Sequence, residues 1–120
     1  MLYRVIETMP KSTRSLKALP ATIRKAIALL GRDIATARTR RRIPQRLLAE
    51  RMLVSLDTLQ RLEKGDPGVS LGVVASALWA LGLGERLNSL AAPSEDTVGT
   101  TEELTRLPRR VRRPASTLDF

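Results

Sequence analysis

The chain has 120 residues, enough for one domain with a modest core plus tails, and its 21 Lys and Arg outweigh 12 Asp and Glu, a net charge of +9. With no histidine and no cysteine, it lacks disulfides, thiol nucleophiles, imidazole bases and the usual zinc ligands, so neither an enzyme nor a metal or cofactor protein is expected. The basic balance favours nucleic acid or another anionic surface as partner. Aromatic residues are only 2% of the chain, which argues against base-stacking platforms and hence against an RNA-recognition module. No apolar run nears the roughly 20 residues of a membrane span and no signal-peptide pattern opens the chain, so a cytoplasmic protein with no membrane partner is expected.

The charge is unevenly spread. Residues 22–43 hold seven basic groups and one acid, whereas residues 66–96 hold one basic group and four acids. A basic stretch followed by an acidic, apolar one suggests a face for phosphate and a separate face for protein.

Residues 1–19 show no clear period and read as an N-terminal arm, poorly ordered, with Leu2, Tyr3, Val5 and Ile6 as a short extended piece. From Pro20, a residue suited to the first helical position, Ile23, Ile27, Leu30, Ile34 and Ala37 step by 4, 3, 4 and 3. Gly31 interrupts this helix, which either continues through it or breaks there. Arg38, Arg40, Arg41 and Arg42 close it with the positive charge a helix C-terminus favours.

Pro44 opens the most informative stretch, Gln45 to Gly65. Leu48, Ala49, Met52, Val54, Leu59 and Leu62 have the spacing of two crossed helices sharing one small core, with Ala49 at their closest approach. Ser55 supplies an N-cap oxygen, Asp57 a first-turn acid and Gly65 a stop. This is a helix-turn-helix pattern, whose second helix enters the DNA major groove.

Asp66-Pro67-Gly68 is a turn, after which Ser70 caps a helix with an apolar stripe of Leu71, Val74, Leu78 and Leu81, joined by Trp79. Gly82 and Gly84 lead to a short fifth helix carrying Leu87 and Leu90, and Ala91 to Ser94 end the compact part. The expected fold is all-α: five helices in a domain over 20–92, between the arm 1–19 and a basic tail 93–120. That tail, rich in Thr, Glu, Arg and Pro, is read as flexible, with a helical candidate near Glu102–Leu107 and the basic run LPRRVRRP beyond it.

Gln45, Leu48-Ala49, Val54-Ser55, Leu59, Leu62-Glu63 and Gly65 together resemble the signature of XRE-type (Cro/C1-type) helix-turn-helix regulators, over about Leu30 to Ala91. GDPGVSLG, the following LWALGL and the late LPRRVRRP resemble, more narrowly, the HipB-like antitoxins that accompany HipA-type serine/threonine kinases. Three positions depart from the pattern: Leu53 stands where the turn usually has glycine, Pro44 where a capping Thr or Ser is common, and Leu56-Asp57 where polar or basic residues often begin the recognition helix.

By matching position, the resemblance implies that Ser55, Leu56, Asp57 and Arg61 face base edges, while Gln45, Arg46 and Lys64 face the backbone. Arg61 is the candidate for a bidentate contact to guanine. Arg41 and Arg42, with Arg40, either reach phosphate or only cap the first helix. The apolar surplus around Leu78, Trp79, Leu83 and Leu87 is the expected dimer seam, whereas Asp33, Glu50 and Glu63 read as surface or ion-pairing groups. The expected function is a homodimeric repressor on a palindromic operator and an antitoxin that also binds and neutralises a HipA-type kinase. The alternatives are a stand-alone XRE-type repressor and a basic RNA-binding protein.

Overall fold

A computed structural model describes residues 11–107, all of whose regular elements are helices. The helices are α1 (Lys11–Lys17), α2 (Ala21–Arg40), α3 (Gln45–Met52), α4 (Leu56–Glu63), α5 (Leu71–Ala80) and α6 (Thr97–Arg106), with 3₁₀ turns at Gly84–Ser89 and Pro93–Glu95. The chain divides after Glu85 into two compact units.

In the first unit α2 packs on α4, and α3 packs on both α4 and α5. The core consists of Ile34 from α2, Leu48, Ala49 and Met52 from α3, Leu59 and Leu62 from α4, and Ala77, Leu78 and Leu81 from α5. Of the six apolar positions read from the helix-turn-helix stretch, five are buried; Val54, in the turn, is half-buried. No polar or charged residue is buried in this core.

The long helix α2 runs unbroken through Gly31. The glycine is there for approach: a Cβ at Gly31 would meet the carbonyl oxygen of Leu62, that of Glu63 at 2.8 Å and the amide of Gly65 at 2.9 Å. Gly65 reciprocates, since its own Cβ would lie 2.6 Å from the Cα of Ala28. Two backbones touch here, and neither has room for a side chain.

α2, α3, α4 and α5 each end in the same way. A residue with positive φ follows the last turn, at Arg42 (54°), Leu53 (59°), Gly65 (81°) and Gly82 (80°). The next amide then reaches back five residues: Ile43 to Arg38, Val54 to Ala49, Asp66 to Arg61 and Leu83 to Leu78. These are Schellman closures, which satisfy the carbonyls a helix end leaves open. The left-handed conformation at Leu53 answers the missing glycine: the turn keeps its geometry and carries strain, with Leu53 91% exposed.

Three departures from the sequence expectations stand out. Within the arm, Lys11–Lys17 form a helix, and Leu16 lies close to Gly68. Leu87 belongs to a 3₁₀ turn instead of a fifth α-helix, and Leu90 lies beyond it, 73% exposed. Past Ala92, in the second unit, the chain forms α6, which starts earlier than the Glu102–Leu107 candidate: Asp96 caps it, accepting from Gly99 N at 2.8 Å. Leu2, Tyr3, Val5, Ile6 and the run Pro108–Pro114 fall outside the described residues.

Candidate nucleic-acid interface

α3, a three-residue turn and α4 form a compact hairpin of helices. At its centre Ser55 caps α4, accepting from Thr58 N at 3.1 Å. Leu59 and Leu62 turn inward, which leaves Asp57, Arg61 and Lys64 exposed at i, i+4 and i+7, one outward stripe. Ser55 is exposed beside that stripe's start, and Leu56 is half-buried.

A polar network secures the other side of α4. Glu63 accepts from Arg38 Nε at 2.7 Å and Nη2 at 3.0 Å, and from Gln45 Nε2 at 2.8 Å. Gln60 Nε2 donates to Gln45 Oε1 at 3.3 Å, while Arg38 Nη1 donates to the carbonyl of Ile43 at 3.0 Å. The Arg38 and Glu63 side chains keep only 12% and 7% of their surface in water. One carboxylate thus ties the end of α2 and the start of α3 to α4, while Arg38 also holds the loop between them. Gln45, which the resemblance assigns to phosphate, is half-buried and spends its amide on this network.

Arg41, Arg42 and Arg46 flank the start of α3 and are exposed, as is Lys64 at the end of α4. Arg41 also returns one bond to its own helix, Nη1 to the carbonyl of Ala37 at 2.8 Å, so capping is one of its roles. Because Gln45 is bonded to Gln60 and Glu63, the start of α3 lies against α4, the helix that carries the outward stripe.

Arg61 has a neighbour the sequence reading missed. Its Nε donates to Asp66 Oδ2 at 2.8 Å, and Asp66 Oδ1 accepts from Gly68 N at 2.8 Å. The Arg61 guanidinium is held above its ordinary pKa, first by the Asp66 hydrogen bond and then by that group's charge. The Asp66 carboxyl is held below the usual carboxylate range, first by the bond from Arg61 and then by the Gly68 amide. The signature Asp66-Pro67-Gly68 announced a turn, but not that the Asp66 side chain would close it through the Gly68 amide or take Arg61 as its partner.

Comparisons with family models, with curated proteins and with solved structures find no match. Function therefore rests on this chain's own residues.

Of the expected dimer seam, Trp79 is 71% exposed on α5, with Leu71 at 69% on the same helix. Leu78 is buried in the core, at 8% exposure, so it is a packing residue with little surface left for a second copy. Leu83 is half-buried in the first unit, and Leu87 falls in the second. The apolar surplus put Leu78 and Trp79 on one seam, whereas neighbours in sequence on a helix point about 100° apart, and here one is turned into the core and the other out. No helix among the described residues is long and apolar enough to cross a membrane.

Proposed function

We propose that this protein is a sequence-specific binder of double-stranded DNA, an XRE-type transcriptional repressor. The observation that carries the reading is the outward stripe Asp57–Arg61–Lys64 on α4, capped by Ser55, with Arg41, Arg42 and Arg46 exposed around the start of α3, the helix packed on α4. A short helix backed by a rigid core, with hydrogen-bonding side chains outside and cations at its margins, is what major-groove reading requires. Base contacts then fall to Ser55, Leu56, Asp57 and Arg61, and phosphate contacts to Arg46, Lys64, Arg41 and Arg42. Gln45 contributes to phosphate binding only if it gives up part of its bonding to Glu63 and Gln60.

Pairing of two copies through the outer face of α5, around Trp79, puts two such helices on half-sites about one helical turn apart. The exposed Trp79 and Leu71 support it, on a stretch with no charged residue between Asp66 and Glu85. The resemblance to HipB-like antitoxins extends the reading to an autoregulating repressor that also binds a HipA-type kinase.

Gel-shift titration with duplex DNA and with structured RNA tests the core of this. Duplex binding that favours some sequences is expected, and Arg61→Ala is expected to keep the fold while losing about 1–3 kcal/mol of discrimination at one base pair. Preference for structured RNA overturns the reading. Sedimentation of wild type against Trp79→Asp tests the pairing, and a monomeric wild type at micromolar concentration overturns that part. Capture of a kinase from the native host tests the antitoxin role.

A further inference from the structure

The Arg61–Asp66 pair is exposed at 45% and 37% of its side-chain surface. Exposed pairs of this kind contribute little to stability. A carboxylate just past the end of a helix that must approach a polyanion also repels that partner. The pair calls for a different account.

The guanidinium geometry supplies one. Nε is committed to Asp66 Oδ2, whereas Nη1 and Nη2 have no hydrogen bond within the described residues. These two terminal nitrogens are the edge that meets guanine O6 and N7 side by side. The seat beneath the guanidinium is built. Asp66 is fixed in turn by the Gly68 amide, and Gly68 lies beside the guanidinium: a Cβ there would stand 3.5 Å from Nη2, at ordinary contact distance.

We propose that Asp66 is the positioning residue through which Arg61 acquires a preference for guanine. Two effects follow from one carboxylate. Holding Nε restricts the arginine before DNA arrives, so less rotamer freedom is lost on forming the bidentate contact. The negative charge also weakens attraction to phosphate anywhere along the duplex, which lowers the background of non-specific binding. Asp66 thereby trades general affinity for selectivity. The role rests on the DNA-binding reading above.

The test uses the full chain as wild type, Asp66→Asn, Arg61→Ala and the double variant, each selecting from a randomised duplex library. The side-chain amide introduced by Asp66→Asn retains an oxygen for the Gly68 amide while removing the charge, and an unchanged thermal midpoint verifies that the fold is intact. Wild type is expected to prefer guanine at one position of its site. That preference should fall by about fivefold or more in Asp66→Asn and in Arg61→Ala. Affinity for unselected duplex should rise in Asp66→Asn, and Asp66→Asn should remove no further selectivity once Arg61 is alanine. Undiminished guanine preference in Asp66→Asn, or a loss that persists in the Arg61→Ala background, overturns the positioning role alone. If wild type selects no sequence, the DNA-reading proposal fails and this role fails with it.

Discussion

α4 and α5 have the same ends and opposite faces. Each begins at a serine whose Oγ accepts from the amide three residues on, Ser55 from Thr58 at 3.1 Å and Ser70 from Val73 at 3.2 Å. Each closes on a glycine with φ near 80°, Gly65 and Gly82. Between those ends they diverge. α4 shows water an acid and two cations, while α5 shows it Leu71, Gly72 and Trp79. Local chemistry at the termini decides where a helix starts and stops and says nothing of its partner. The outer face does that, and here one face is charged and the other apolar.

Substitutions at two glycines, Gly31 packed against α4 and Gly72 within α5, separate these helices most sharply. Gly31→Ala drives a methyl group into the backbone at the end of α4, and a loss of about 3 kcal/mol is expected in urea unfolding. Gly72→Ala on α5 meets nothing nearer than Ser70 Oγ at 3.8 Å. It should therefore gain about 0.5–1 kcal/mol from helix propensity. Equal responses would mean that α2 and α4 are not in backbone contact.

Glu63→Gln probes the charged anchoring of α4, where α5 has a neutral bond from Ser76 Oγ to the Met52 carbonyl at 3.5 Å. Two bonds from Arg38 lose their charged acceptor, so a loss of about 2 kcal/mol in stability is expected. A change below about 0.5 kcal/mol would show that the network does not hold α4. Ser55→Ala and Ser70→Ala test the ends that the two helices share. Each should lower stability by about 1 kcal/mol, by similar amounts in chemical denaturation. A large difference would mean that the caps are not equivalent.

The smallest effect expected is a gain. Leu53 takes the left-handed conformation that Gly65 and Gly82 take without a Cβ, and its side chain packs on little at 91% exposure. Leu53→Gly should raise stability by about 0.5 kcal/mol, the relief of strain less the added freedom of the unfolded chain. Destabilisation would show that the exposed leucine packs more than its surface suggests.

Much of this protein was legible because its signals are local or periodic. Ser55, Ser70, Gly65 and Gly82 mark helix ends through their own backbone and hydroxyl chemistry. Leu48, Ala49, Met52, Leu59 and Leu62 mark a shared core by repeating at the helical period. Where the signal was weaker, the reading blurred. Arg42 and Leu53 end helices with positive φ although neither residue type announces it, because the Schellman closure and the packing behind it outweigh the strain of a Cβ. Leu78 and Trp79 looked alike by composition, and only the direction of each side chain sent one inward and the other out.

By itself, then, the sequence determined the helical class, the capped ends and the apolar heart of the helix pair, since these depend on residues a few positions apart. Tertiary structure alone decided which polar groups meet. Glu63 finds Arg38 across 25 residues and Gln45 across 18, Gly31 marks a crossing of backbones, and Leu16 reaches Gly68. Even Arg61 and Asp66, five residues apart, meet only because the chain reverses at Gly65 and brings the carboxylate back over the helix it has just left. Contacts of this kind follow from how helices cross and where chains turn back, and a periodicity carries no record of either.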